Sequence, residues 1–200
     1  MIIVGVGVGP GMLTQEGIEA IRSAPAVYGS GRALEIARPY ITTDKVEALR
    51  DFKNLHLLPE KAVILSTGDP MFSGLGKFAG ENDIVIPGIS SFQVTCARLH
   101  QDLAAVSFIT AHGRKDPEKA EREFLSDIER GKNIFLLPDD AFGAKEVCAL
   151  LKERSIPADV YSVEELGYPE ERIDKGNPDR PPEHISDLYS LFIVLKQKER

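Results

Sequence analysis

The chain has 200 residues and a mass of 22.0 kDa, and a chain of this size buries about 70% of the surface its unfolded state exposes. With 42% hydrophobic and 28% charged residues it has the composition of one large or two small globular domains, which excludes a disordered or fibrous chain. The net charge of −7 divides as 9 basic against 11 acidic residues up to Ala105 and 15 against 20 beyond it, so neither part has the basic footprint of a nucleic-acid binder.

Ile2-Ile3-Val4 followed by glycines reads as a buried strand ending in a tight loop. Thr14 then caps a helix through Ser23, with Ile18 and Ile21 inward and Glu16 in the first turn. Ala26-Val27-Tyr28 is a short strand, and Ser30-Gly31 opens a helix to about Ala37, ahead of Pro39. From Ile41 to Leu58 the pattern is least legible, with weak amphipathic character over Val46 to Phe52. Residues 62–66 form a strand and Ser73 to Ala79 a helix. Residues 83–86 form a further strand closed by Pro87-Gly88, and Ser90 caps a helix to about His100. Strands interleaved with helices imply a parallel or mixed sheet.

A second series begins at Val106. Strands are expected over 106–110, 133–137 and 158–163, with helices over Pro117 to Arg130 and Phe142 to Arg154. The latter carries an apolar stripe of Val147, Leu150 and Leu151 that suits a core face. Strands over 171–175 and 191–195, joined through a proline-rich turn without a helix, suggest an antiparallel finish. The fold class is therefore α/β, in two lobes covering residues 1–105 and 106–200.

No apolar run approaches the roughly 20 residues of a membrane span. Met1-Ile2-Ile3-Val4-Gly5 enters the first strand without a basic leader, so neither a signal peptide nor a membrane partner is expected. Cys96 and Cys148 fall in helical stretches and read as two buried free thiols of a cytoplasmic protein. His56, His100, His112 and His184 share no ligand spacing with either cysteine, and no metal site is expected.

Three loops invite a chemical reading. Gly5-Val6-Gly7-Val8-Gly9-Pro10-Gly11 fails the G-x-G-x-x-G fingerprint in both registers, and Pro10 has no N–H to offer a pyrophosphate. Four glycines in seven residues nevertheless leave bare backbone, which suits close approach of a flat ligand. Ser66-Thr67-Gly68-Asp69-Pro70-Met71-Phe72-Ser73-Gly74 stands at the C-terminal end of a strand, where ligands of open α/β sheets bind. Its Asp69 either accepts hydrogen bonds from a ligand or opens the next helix. Pro87-Gly88-Ile89-Ser90-Ser91 is a third loop on the same edge, whose hydroxyls either hold a ligand or cap a helix.

These three loops, in this order, resemble the tetrapyrrole methylase family over essentially the whole chain. Within it, Tyr28-Gly29-Ser30-Gly31-Arg32, Thr110-Ala111-His112-Gly113-Arg114 and the stretch Glu164 to Ile173 look most like members that methylate C5 of precorrin-7 or cobalt-precorrin-7 in cobalamin biosynthesis. The resemblance implies a class III S-adenosylmethionine (SAM) methyltransferase fold of two α/β lobes with the active site in the cleft between them. It also implies a homodimer, a tetrapyrrole substrate and a separate C15-methylating, decarboxylating partner. Carried over by position, the SAM contacts fall on Pro10, Thr67, Gly68, Asp69, Phe72, Ser90, Ser91 and Leu137. Arg32, His112 and Arg114 are the candidate cations for the carboxylates of a corrin precursor, arginine's fork being suited to bidentate pairing; a surface ion pair is the alternative for each. The resemblance names no catalytic base. The rival readings are a ribosomal RNA ribose methylase or diphthamide-pathway enzyme of the same superfamily, or a non-catalytic subunit that only presents a tetrapyrrole.

Overall fold

Ile3, Val4, Ile64 and Leu65 are at most 1% exposed, the burial of parallel strands covered on both faces. They belong to β1 (Ile2–Gly5) and β4 (Val63–Ser66), which pair in parallel with Ile3 beside Ile64 and Gly5 beside Ser66. With β2 (Val27–Gly29), β3 (Val46–Ala48) and β5 (Ile84–Ile86) they make a five-stranded sheet of order β3-β2-β4-β1-β5, every pairing parallel. The computed structural model describes residues 1–52, 54–112 and 116–196.

The first connections follow the sequence reading. In α1 (Gln15–Arg22) the Thr14 hydroxyl accepts the Gly17 N–H at 3.1 Å, with Glu16 in the first turn and Arg22 in the last, both favourable to the helix dipole. Ser30 caps α2 (Gly31–Ala37) in the same way, through the Ala33 N–H.

Two expectations change. The weakly amphipathic stretch from Val46 is an edge strand, Val46 pairing with Val27, and its three residues are all exposed. The helix expected over Ser73 to Ala79 is only a 3-10 turn over Leu75–Phe78. Ser73 sits in the left-handed region (φ 56°), and a Cβ at Gly74 or Gly76 would press within 2.8 Å of the Pro70 carbonyl. With Gly74 extended as well, the chain leaves helical geometry before Leu75 and only one tight turn follows.

The second sheet has order β6-β7-β10-β8-β9, formed by β6 (Val106–Thr110), β7 (Asn133–Leu137), β8 (Ala158–Glu164), β9 (Arg172–Gly176) and β10 (Tyr189–Leu195). β6 and β7 are parallel and the other pairings antiparallel, the predicted antiparallel finish. α4 (Pro117–Glu129) and α5 (Ala144–Glu153) supply Phe124, Val147 and Leu151 to a core with Ile109, Ile134, Leu136, Val160, Leu191 and Ile193. The Val147-Leu150-Leu151 stripe therefore faces core. Cys148 lies in that cluster; it and Cys96 are unpaired, and burial pushes both thiols up to about 11, which makes them inert.

The chain divides into two compact units, Met1–Ser91 and Phe92–Arg200, at the head of α3 (Ser91–Arg98) rather than near residue 105. The reason is local: this helix and its tail are fastened to the second sheet. The Phe92 ring lies 5.5 Å from that of Phe135, Arg98 donates twice to Glu171 (2.6 and 3.3 Å), and the Asn133 amide donates to Gln101 at 2.9 Å.

Glu164, 2% exposed, is the one buried charged residue among those described. Burial would raise its pKa, but the Ser186 and Ile185 amides and Arg172 outweigh this and hold it below the usual carboxylate value. A depressed native pKa contributes stability that is fully present above the unfolded value of about 4.3 and lost as pH falls through the native one. Glu164→Gln is therefore expected to lower the urea midpoint at pH 7, with the deficit shrinking as pH drops below about 4. A deficit of constant size from pH 7 to pH 3 would assign the loss to packing instead.

Candidate functional site

β4, β1 and β5 are neighbours and run the same way, so their C-terminal ends share one rim of the first sheet. All three glycine-bearing loops leave from that rim. The first two are joined by backbone: the Gly68 N–H donates to the Gly7 carbonyl at 2.8 Å, the Gly7 N–H returns a bond to the Gly68 carbonyl at 3.2 Å, and the Val6 N–H donates to the Ser66 carbonyl at 2.9 Å. Gly7 and Gly68 both take positive φ (78° and 68°), which other residues adopt at a cost.

The third loop closes on the other two through Gly88. A Cβ on Gly5 would lie 2.5 Å from the Gly88 nitrogen and 2.8 Å from the Gly68 carbonyl oxygen. A Cβ on Gly88 would overlap that same carbonyl. Backbone therefore packs directly on backbone where the three loops leave the sheet, and only glycine permits it.

Asp69 ties the arrangement from above. Its Oδ1 accepts the Met71 N–H at 2.8 Å and its Oδ2 the Gly88 N–H at 3.0 Å, so one carboxylate turns the second loop and clamps it to the third. Each oxygen keeps a further lone pair. The Ser66 hydroxyl, buried beneath, accepts the Leu75 N–H at 3.3 Å. Pro10 and Thr67 are exposed, Phe72 and Ser91 half-buried, and Ser90 buried directly before α3. The structure thus brings Pro10, Thr67, Gly68, Asp69, Phe72 and Ser90 onto three interlocked loops, and Ser91 opens α3 directly after the third. Arg32 is the second residue of α2, which follows β2 at the same rim.

The floor of the three loops stays open at two of its glycines. A Cβ added at Gly68 would enter the space bounded by Val8 (3.6 Å) and the Ser90 Cα (4.0 Å), and around Gly11 nothing lies within 4 Å. Glycine keeps that space clear between the first and third loops.

Leu137 and His112 belong to the second unit. Thr110 of β6 lies beside Leu137 of β7, and the Leu137 carbonyl accepts the N–H groups of Ala111 (2.8 Å) and His112 (3.4 Å), so the two share one end of that sheet. The His112 side chain is exposed. Gly113 and Arg114 lie outside the described residues. Just beyond Leu137, Asp139 accepts the Ala141 and Phe142 N–H groups, and the Ala144 N–H meets the Tyr189 hydroxyl. Burial, with Glu146, Asp140 and Asp139 nearby, raises the Tyr189 pKa against that hydrogen bond.

Sequence reasoning missed Gly88 as Asp69's partner and Glu164 as a buried anchor. A glycine directly after a proline at a strand end was the available signal for the first; the second had none, because its partners lie 8 and 21–22 residues away. Among the described residues, no group of three or more His, Cys, Asp or Glu side chains could hold a metal ion, and no helix is long and apolar enough to cross a membrane.

Comparison with known proteins bears on this geometry. "Probable cobalt-precorrin-7 C(5)-methyltransferase" of Methanocaldococcus jannaschii is 34% identical over 186 residues, 84% of this chain and 85% of that protein. "Precorrin-6Y C(5,15)-methyltransferase [decarboxylating]" of a Sinorhizobium species is 28% identical over 86% of this chain but only 44% of its own length. The crystal structure of the cobalamin-biosynthesis precorrin-6Y methylase of Archaeoglobus fulgidus matches with a TM-score of 0.74 and 30% identity, over 97% of this chain and 96% of that one. The sequence profile of the Tetrapyrrole (Corrin/Porphyrin) Methylases spans residues 2–179, taking in all three glycine loops of the first sheet and the His112 and Leu137 end of the second. With nine-tenths of its length inside that profile, the chain belongs to the tetrapyrrole (corrin/porphyrin) methylase family.

Proposed function

We propose that this chain is a SAM-dependent C-methyltransferase that acts at C5 of a corrin precursor, precorrin-7 or cobalt-precorrin-7, in cobalamin biosynthesis. The observation that carries the reading is the interlock of Gly5, Gly68 and Gly88 under the Asp69 clamp, which prepares a bare floor for a nucleoside. The Methanocaldococcus relative, matched along 85% of its length, supports the choice of substrate.

When bound, S-adenosylmethionine supplies a methyl already activated on a sulfonium. The chain's task is then to hold donor and acceptor in line, and such positioning is worth up to about 7–11 kcal/mol. On this reading the backbone of residues 7–11 and 67–69 lies against the nucleoside, Thr67 and Ser91 offer hydroxyls, and Phe72 adds an apolar wall. Leu137 is a further proposed cofactor contact. Arg32, His112 and Arg114 pair with substrate carboxylates, local cations on a protein of net charge −7. Prior fixing of the loops by Asp69 lowers the ordering cost of binding.

The reading includes a homodimer and a separate C15-methylating, decarboxylating partner; the Sinorhizobium relative, more than twice as long as the matched segment and named for both positions, supports the pairing of the two activities. A cytoplasmic setting fits the two unpaired thiols.

Incubation with methyl-labelled SAM and a set of late precorrins, with and without cobalt, tests the assignment. One added methyl at C5 is expected. Label at another ring position, or label on RNA or protein and on no precorrin, would overturn it.

A further inference from the structure

The buried Glu164 carboxylate touches none of the candidate ligand residues. Its Oε2 accepts the N–H groups of Ile185 (2.7 Å) and Ser186 (2.6 Å), and its Oε1 accepts Arg172 at 2.6 Å. The same Arg172 nitrogen donates to the Glu183 carbonyl at 2.9 Å, a carbonyl that also takes the Ser162 hydroxyl. The Ser186 hydroxyl donates to Glu165 at 2.7 Å, and Glu165 is itself held at φ 47°. The His184 ring stacks on Tyr189 at 3.7 Å. Residues 183–188, an irregular loop before β10, are thus fixed by a buried charge, an arrangement that is costly unless every partner is in place.

What the anchoring displays is apolar. Ile185 is 83% and Leu188 59% exposed. Two aliphatic side chains held in water gain no burial energy, yet the buried carboxylate fixes the backbone that carries Ile185 and its neighbour Ser186. Register says where it stands: Tyr189 lies beside Glu164, Leu191 beside Leu136, and Leu137 beside Thr110. The loop therefore sits at the end of the second sheet where β6, β7 and β8 finish, the end that bears Leu137 and His112. Glu183 and Asp187, both exposed, flank it and repel carboxylates. The matching ligand surface is uncharged and flat, with its anionic groups elsewhere, as on the ring face of a corrin precursor whose carboxylates project from the edge.

We propose, on the reading that the substrate is a corrin precursor, that Ile185 and Leu188 form an apolar rest for the ring face. Glu164 is the positioning residue that fixes them there. Ile185→Ser/Leu188→Ser alters exposed side chains alone and should leave the fold intact. It is expected to raise KM for the precursor roughly tenfold at nearly unchanged kcat, the mark of lost uniform binding, with S-adenosylhomocysteine affinity untouched. Glu164→Ala should raise KM likewise and speed hydrogen exchange at Ile185 and Ser186; Glu164→Gln, which keeps an acceptor oxygen for those amides, should restore part of both. A wild-type KM in the serine double variant, with methyl transfer intact, would overturn the proposal and leave the assigned activity standing. Failure of the wild-type chain to methylate any precursor would overturn both.

Discussion

Replacing Asp69 with alanine is expected to weaken S-adenosylhomocysteine binding by roughly tenfold to a hundredfold, the loss of two hydrogen bonds to a charged group at about 1.5–3 kcal/mol each, partly offset by water. The carboxylate clamps Met71 and Gly88 at 2.8 and 3.0 Å, so its removal frees the second loop and unpins the third. Asp69→Asn separates the clamp from simple charge loss. It keeps one oxygen for one amide and sets an N–H₂ donor against the other, so its affinity should fall between wild type and alanine. Arg114→Ala provides the contrast: as a proposed substrate cation it should spare cofactor affinity and impair turnover. Calorimetric titration of all three variants checks this, and equal cofactor affinity in wild type and Asp69→Ala would contradict the role given to Asp69.

Gly88→Ala should cost more in stability than any other single methyl added to the glycine loops. The new carbon would overlap the Gly68 carbonyl and lie 2.8 Å from the Gly5 backbone. Overpacking of side chains costs about 1–3 kcal/mol, and here both neighbours are backbone that cannot rotate aside. A loss of about 3 kcal/mol is therefore expected, with the loops forced apart and cofactor binding lost. Gly31→Ala is the control, because nothing lies within 4 Å of the added carbon; it should change stability by less than about 0.5 kcal/mol. Urea midpoints of the two variants measure the difference. Equal midpoints would mean that the three loops are not locked at Gly88.

The parts of this fold legible in the sequence are those with a burial signature. Short apolar strands with glycine at or just past their ends, such as Ile2–Gly5 and Val63–Ser66, announce both their structure and the loops that follow them. Val46–Ala48 has no such signature, since an edge strand with three exposed residues reads like any polar stretch. The Ser73–Ala79 helix fails because Ser73 turns left-handed and Gly74 is extended, a backbone path that apolar periodicity does not record. Asp69 is legible as a candidate site residue, but its reach to Gly88, 19 positions on, is not. Nor is the place of α3, whose attachment depends on Phe135 and Glu171, far along the chain. Glu164 illustrates the limit most sharply: a glutamate beside another glutamate reads as solvated charge until the strand register buries it.

The most direct test is to follow backbone amide resonances of the labelled chain while S-adenosylhomocysteine is added. The largest shifts are predicted at Gly7, Gly68, Met71 and Gly88, the amides of the interlocked loops, with smaller ones near Leu137. Saturable shifts confined to residues outside these loops would show that the nucleoside binds elsewhere and would contradict the account.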